Sequence, residues 1–183
     1  NPDLIIECGI ARGGSLVYYA SLLKLLGKKK SKVLGIDIDV RKHTQMVLKN
    51  HSVKNKIKFI QGSSTSKKTF DKAKLISKKY KKRLVILDSN HTHKHVLDEL
   101  NFYSKLVSKN SYLIVFDTTI NIYDKKKIKL LKKNYHLKDW GKNNNPMTAT
   151  HEFLKKNKNF KIDKRLNYKA FCTSTFDGYL LKS

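Results

Sequence analysis

The chain has 183 residues, with 40 lysines and arginines against 14 aspartates and glutamates, giving a formal net charge of +26. That length suits one well-buried domain and is short for two, and no apolar run approaches the roughly 20 residues that a membrane span requires. Only two cysteines are present, Cys8 and Cys172. Both lie in apolar strand-like runs, which fits free buried thiols in a reducing cytoplasm better than a disulfide scaffold. The sequence opens at Asn1 and Pro2-Asp3 leads straight into the first strand, so an N-terminal segment is expected to precede it. The charge invites a nucleic-acid reading, but only Arg12, Arg41, Arg83 and Arg165 are arginine, the residue favoured for bidentate and stacking contacts. Lysines spread over every helix and loop read instead as a solvated surface under an AT-rich coding bias. A nucleic-acid-binding or nucleic-acid-modifying protein is the alternative reading.

The first element is a strand over 3–8, ending in Glu7-Cys8 and followed by Gly9-Ile10-Ala11-Arg12-Gly13-Gly14-Ser15. A glycine-rich turn between a strand and a helix brings the backbone close to a nucleotide-like ligand. A carboxylate at Glu7 would repel the pyrophosphate of NAD and attract the ammonium of S-adenosylmethionine. The turn residues Gly9, Ala11, Gly13 and Ser15 are therefore expected to cradle a methyl donor. A helix over 14–27 follows, then a strand over 32–37 that closes on Asp37. An acid there accepts hydrogen bonds from ribose hydroxyls; alternatively it caps a helix, although Asp39 is the more natural cap.

The alternation continues with a helix over 41–50, a strand over 56–60 running into Gly62-Ser63-Ser64, and a helix over 66–80. A strand over 84–88 enters Asp88-Ser89-Asn90-His91-Thr92-His93-Lys94-His95, a helix spans 92–108, and a strand over 111–117 ends in Phe116-Asp117-Thr118. Strands and helices at this spacing imply a mostly parallel, doubly wound α/β sheet covered on both faces. The stretch 118–145, polar and rich in asparagine, reads as irregular and is expected to form an active-site loop. After a helix over 146–157, the segments 160–163 and 170–175 carry no helix between them. Asp177-Gly178 then signals a turn before 179–181, and an antiparallel edge fits that ending. The whole, 1–183, reads as one domain.

Asp88 and Asp117 stand at carboxyl ends of strands lining the crevice shared with Glu7 and Asp37, where they could share a hard divalent cation, hold a substrate hydroxyl or cap helices. His91, His93 and His95 cannot all face one ion if a helix starts at Thr92, so their spacing does not make a zinc site. His91 or His93 is the candidate to touch substrate or act as a base.

Pro2-Asp3-Leu4-Ile5-Ile6-Glu7, the Gly9 to Ser15 turn, Gly35-Ile36-Asp37-Ile38-Asp39, Gly62-Ser63-Ser64, Leu87 to His93, Asp117-Thr118, Trp140-Gly141 and Asn144-Asn145-Pro146 together resemble the cephalosporin hydroxylase family, which includes rhamnosyl O-methyltransferases. The likeness runs nearly end to end. It implies a Rossmann-like class I methyltransferase fold and S-adenosylmethionine-dependent O-methylation of a sugar, glycolipid or secondary metabolite, rather than hydroxylation. Under that resemblance Glu7 and Gly9 meet the methionine end of the cofactor, Asp37 its ribose, and Gly62, Ser63 and Ser64 its adenine. Asp88 and Asp117 match positions that help bind Mg²⁺ in some relatives. Those relatives place a second acid where this chain has Phe116, which weakens the metal site and favours His91 as the base, with Asp88 and His93 the other candidates. Asn90, Trp140, Asn144 and Asn145 are expected to meet a small-molecule or glycan acceptor, Trp140 as an apolar platform and the asparagines through amide hydrogen bonds. Trp140 could equally be loop packing, and Pro146 a helix start. A homo-oligomer stays open.

Overall fold

The fold was analysed in a computed structural model, which describes residues 1–135, 140–169 and 173–183. Its centre is β1 (Leu4–Cys8), where strict alternation decides everything that follows. Leu4, Ile6 and Cys8 face one apolar cluster, while Ile5 faces a second cluster on the opposite side of the sheet. Glu7 shares the face of Ile5, as the two-residue period of a strand requires.

The second face is covered by α1 (Gly14–Leu25), whose Leu16, Ala20 and Leu23 pack on Ile5, on Val33 of β2 (Lys32–Asp37) and on Ile86 of β4 (Arg83–Leu87). The stretch between β2 and β4 supplies α2 (Lys42–Asn50), β3 (Ile57–Gln61) and α3 (Lys67–Ser77). On the first face lie α3, α4 (His93–Tyr103) and α6 (Pro146–Lys156), contributing Phe70, Leu100, Tyr103 and Phe153 to the larger cluster. Each such large side chain removed from water stabilises the fold by about 1.5–3 kcal/mol.

The remaining elements are β5 (Tyr112–Val115), α5 (Lys125–Tyr135), β6 (Phe160–Ile162), α7 (Lys164–Lys169) and β7 (Tyr179–Lys182). The seven strands run in the order β3-β2-β1-β4-β5-β7-β6. The first five are parallel, and β7 is antiparallel to both β5 and β6. The order reverses between β1 and β4, and ligands of open α/β sheets bind at the carboxyl ends beside such a reversal. Among the described residues no helix is long and apolar enough to cross a membrane.

Several expectations are corrected. The stretch 118–145 is not irregular throughout: a 3-10 turn spans Thr118–Ile122, and α5 follows it. A helix does intervene in the last third, because α7 separates β6 from the segment 170–175, where residues 173–175 are not in a strand and 170–172, with Cys172, lie outside the described residues. Asp39 does not cap α2, whose N-cap is Arg41 without a side-chain hydrogen bond. Helices expected to reach 80 and 108 stop at Ser77 and Tyr103.

Candidate active site

The carboxyl ends of β1, β2 and β4 converge tightly at Gly9. Its amide donates to the Ile36 carbonyl (2.8 Å), and the neighbouring Cys8 carbonyl accepts from the Asp88 amide (2.8 Å). Gly9 adopts φ 86°, and a Cβ there would lie 2.0 Å from the Asp88 carbonyl oxygen, so only glycine fits. Ala11 is also left-handed, at φ 44°, a conformation costing an ordinary residue about 1–2 kcal/mol. Asp37 holds that shape: one carboxylate oxygen accepts from the amides of Ile10 (2.8 Å) and Ala11 (3.1 Å), the other from that of Asp39 (3.0 Å). Gly13, at φ 78°, is the N-cap of α1.

Glu7 lies behind this turn and is not among the residues lining the cavity. Its carboxylate accepts from the Ser15 hydroxyl at 2.6 Å, because the first turn of α1 packs on the sheet face to which Glu7 points. Burial pushes its pKa up to about 7, the Ser15 hydrogen bond opposing and the charge of Asp88 adding to that rise. The side chain is 2% exposed and turned to Ser15 rather than into the cavity.

The cavity, about 590 Å³, is lined by Gly9, Ala11, Asp37, Ser63, Ser64, Asp88, Asn90, His91 and Trp140 among the residues expected from sequence. Gly62 stands just outside, its amide held by the Asp37 carbonyl at 2.7 Å. Ile38 lines the cavity although it is 71% exposed, an apolar face left open in the mouth. Ser89 and His95 line it too, and neither is among the site residues expected from sequence. They join Ser64 and the fully buried Glu99 in one polar chain. The Ser89 hydroxyl donates to Glu99 (2.6 Å), and His95 Nε2 lies 3.2 Å from Ser89 Oγ and 3.1 Å from Ser64 Oγ. The available signal was the i,i+4 spacing of His95 and Glu99 on a helix.

Next to Gly9 stands the second cluster. His91 Nε2 is buried, lies 3.3 Å from an Asp117 oxygen and 3.6 Å from an Asp88 oxygen, and has no hydrogen-bond partner among the described residues. Burial works against the imidazolium, but the charges of Asp88 and Asp117 outweigh it, and the His91 pKa is raised above 6.5. The Asp117 pKa is also raised, by burial and by Asp88, with His91 opposing. Asp117 sits at φ 54°, a left-handed position that turns it out of β5 toward its two partners. Asp88, His91 and Asp117 each offer a ligand atom, and the three lie within 4.8 Å of one another. Two carboxylates and an orphaned imidazole nitrogen at that spacing fit a divalent cation.

Other expected residues are turned to structural work. His93 uses both ring nitrogens on α6, at 2.8 Å from Thr148 Oγ1 and 3.0 Å from Glu152, and is not a free base. Asn144 Oδ1 accepts the His93 amide (2.8 Å). Asn145 is fully buried and caps α6 in a capping box with Thr148, while its amide donates to Asn121 and Gly141, each at 2.8 Å. Neither asparagine lines the cavity. Asn90 does, and also accepts from the amide and hydroxyl of Thr92. Trp140, 5% exposed, lines the cavity with its indole nitrogen unpartnered.

Five parallel strands, an antiparallel β7 inserted beside β5, a glycine turn after β1 and an acid after β2 define a Rossmann-like class I methyltransferase fold. Within that class, the chain belongs to the Rhamnosyl O-methyltransferase/CmcI family, which it matches over residues 1–183. Similar proteins include a rhamnosyl O-methyltransferase of Mycobacterium bovis, 32% identical over 121 residues (66% of this chain, 47% of that one). Another, of Mycobacterium leprae, is 31% identical over 121 residues (66% and 50%). The chain spans about half the length of these relatives. Among solved structures, CmcI with Mg and SAM has a TM-score of 0.62 at 21% identity, covering 100% of this chain and 65% of that one. The MycE methyltransferase of the mycinamycin pathway, in complex with Mg, SAH and mycinamycin VI, has a TM-score of 0.50 at 20% identity (71% and 35%). At such identities the structural likeness speaks to the fold.

Proposed function

We propose that this chain transfers a methyl group from S-adenosylmethionine to a hydroxyl of a sugar, glycolipid or secondary metabolite, with the rhamnosyl group named by its relatives the first acceptor to try. The observation that carries the reading is one cavity with two unlike walls. On one wall a glycine turn and Asp37 offer a nucleoside site, and on the other Asp88 and His91 stand beside Asp117.

The sulfonium makes its methyl an electrophile, so the protein's work is alignment and proton removal. Asp37 and the Gly9 to Ala11 backbone hold the ribose end, and Ser63 and Ser64 the base. Glu7 acts through the wall, its negative charge favouring the ammonium of the amino-acid end. As the acceptor oxygen bonds to the methyl carbon, the carbon–sulfur bond breaks and leaves a neutral thioether. The hydroxyl proton passes to the His91 imidazole, whose Nε2 lies 3.3 Å from Asp117 and 3.6 Å from Asp88. Asp88 and Asp117 then stabilise the imidazolium, as a carboxylate does for a catalytic histidine elsewhere. Asp88 and Asp117 would also hold Mg²⁺ where it is used, and the ion would lower the pKa of the acceptor hydroxyl. Phe116 leaves them without a second adjacent acid, so His91 carries more of the deprotonation. Trp140 supplies an apolar wall.

Calorimetry with S-adenosylhomocysteine and NAD, followed by transfer of labelled methyl to rhamnosyl glycolipids, tests the reading. Binding of the first ligand, none of the second and labelled product are the expected results. NAD binding without methyl transfer would overturn it.

A further inference from the structure

Of the polar chain from Glu99 to Ser64, only Ser64 enters the methyl-transfer steps above; Glu99, Ser89 and His95 do not, yet the chain ends in the cavity. Glu99 is fully buried and its Oε2 has no partner among the described residues, an arrangement that costs stability unless the carboxylate is needed. Its Oε1 takes the hydrogen of the Ser89 hydroxyl at 2.6 Å. Ser89 Oγ has only that one hydrogen, so toward His95 Nε2, 3.2 Å away, it can only accept. His95 Nε2 must then carry a proton, which the carboxylate 3.4 Å away also favours. The same N–H faces Ser64 Oγ at 3.1 Å, so Ser64 is an acceptor there and keeps its own hydrogen. Tyr103 contributes from behind by donating its hydroxyl to the Ser64 carbonyl at 3.0 Å, which fixes the backbone on which that hydroxyl stands.

We propose that Glu99 and Ser89 lock His95 with its proton on Nε2 and so leave the Ser64 hydroxyl free to donate, within the cavity it lines, to a ring nitrogen of a purine base. The base is placed there by topology. With ribose hydroxyls on Asp37 at the end of β2, the nucleoside extends to the next strand, β3, whose end carries Ser63 and Ser64. The exposed face of Ile38 lies along that path as an apolar platform. Ser64 is thus a specificity-determining residue, and Ser89, His95 and Glu99 are positioning residues acting through it.

The inference rests on the methyl-donor reading, and the test separates the two. S-adenosylhomocysteine and its 1-deaza, 3-deaza and 7-deaza forms, in each of which one ring nitrogen is replaced by C–H, are titrated into the protein by calorimetry. One deaza form should bind about three- to tenfold more weakly than the parent, the worth of one neutral hydrogen bond. That ratio should fall to about one in Ser64→Ala. Glu99→Gln keeps an acceptor for Ser89 and should preserve the ratio, whereas Glu99→Leu frees the Ser89 hydrogen and should erode it. Nitrogen-15 NMR of the native protein gives a readout independent of how well the variants fold, with the His95 proton expected on Nε2. Tight binding of all four ligands with equal affinity, or a neutral His95 protonated on Nδ1, overturns the inference alone. No binding of S-adenosylhomocysteine removes the methyl-donor reading and the inference with it.

Discussion

The two walls of the cavity differ in how their polar atoms are partnered. On the side of Asp37 and Ser64 most polar atoms are already satisfied: Asp37 accepts three backbone amides, and Ser64 and Ser89 each hydrogen-bond His95, with Glu99 Oε2 behind them the exception among the described residues. On the side of His91 and Trp140, His91 Nε2 and the Trp140 indole nitrogen are buried with no partner among the described residues, and Asp117 holds a strained backbone. A wall whose groups are fixed before the ligand arrives binds with little reorganisation, and such a wall suits a cofactor that every turnover uses. Buried polar atoms without partners cost about 1–3 kcal/mol each and become favourable when something completes them, as a reacting group does. Substitutions on the first wall should therefore act on affinity, and those on the second on rate.

The largest effect should come from His91→Ala. Loss of the base should lower turnover by about 10²–10⁴-fold while calorimetric affinity for S-adenosylhomocysteine stays within error. Equal losses in rate and affinity would erase the distinction between the walls. In the native enzyme the base must be neutral, so activity should rise with pH through an ionisation above the ordinary histidine value of 6.5, because Asp88 and Asp117 favour the imidazolium. Asp117→Asn should move that ionisation down. EDTA sharpens the same wall: with His91 carrying the proton, chelation should leave a measurable rate, and complete loss restored by Mg²⁺ would assign the deprotonation to the ion.

On the first wall, Asp37→Ala should weaken methyl-donor binding by about 1–3 kcal/mol, since it removes charge-assisted hydrogen bonds to the ligand and to the turn. Glu7 gives a smaller, pH-dependent effect. Its pKa of about 7 is raised, so the carboxylate is ionised above that value and neutral below it. Affinity for the positively charged methyl donor should fall as pH drops below about 7, at most tenfold per unit, and Glu7→Gln should flatten the profile.

Much of this arrangement is legible in the sequence, and where it is not the reason is physical. Leu4 to Cys8 reads as an almost continuous apolar run because both sheet faces are covered, and the ends of β1, β2, β4 and β5 carry Glu7, Asp37, Asp88 and Asp117 where the pattern puts them. Two helices were missed because their apolar stripes are thin: Ile128, Leu130 and Leu131 in the lysine-rich α5, and Leu166 with Tyr168 in the six-residue α7. His93 looked as available as His91, since its partner Glu152 lies 59 residues away and only the contact between α4 and α6 reveals it. Glu99 reads as a solvated helix residue until tertiary packing buries it. The Asn144-Asn145-Pro146 turn illustrates the same limit, for capping chemistry and ligand chemistry use the same amides.

The smallest effect belongs to the surface charge. No residue of α5 lines the cavity, and exposed charges are screened within about 8–10 Å at physiological salt. Charge reversal of Lys125 and Lys126 to glutamate should change turnover of a neutral acceptor by less than about twofold. A loss confined to anionic acceptors would assign those lysines a steering role.

The most direct test of the account is a paired titration of S-adenosylhomocysteine into the native protein and into His91→Ala and Asp37→Ala. The account predicts unchanged affinity in His91→Ala, a clear loss in Asp37→Ala, and no heat from NAD in any of the three. Affinity that survives in Asp37→Ala, or falls in His91→Ala instead, would contradict it.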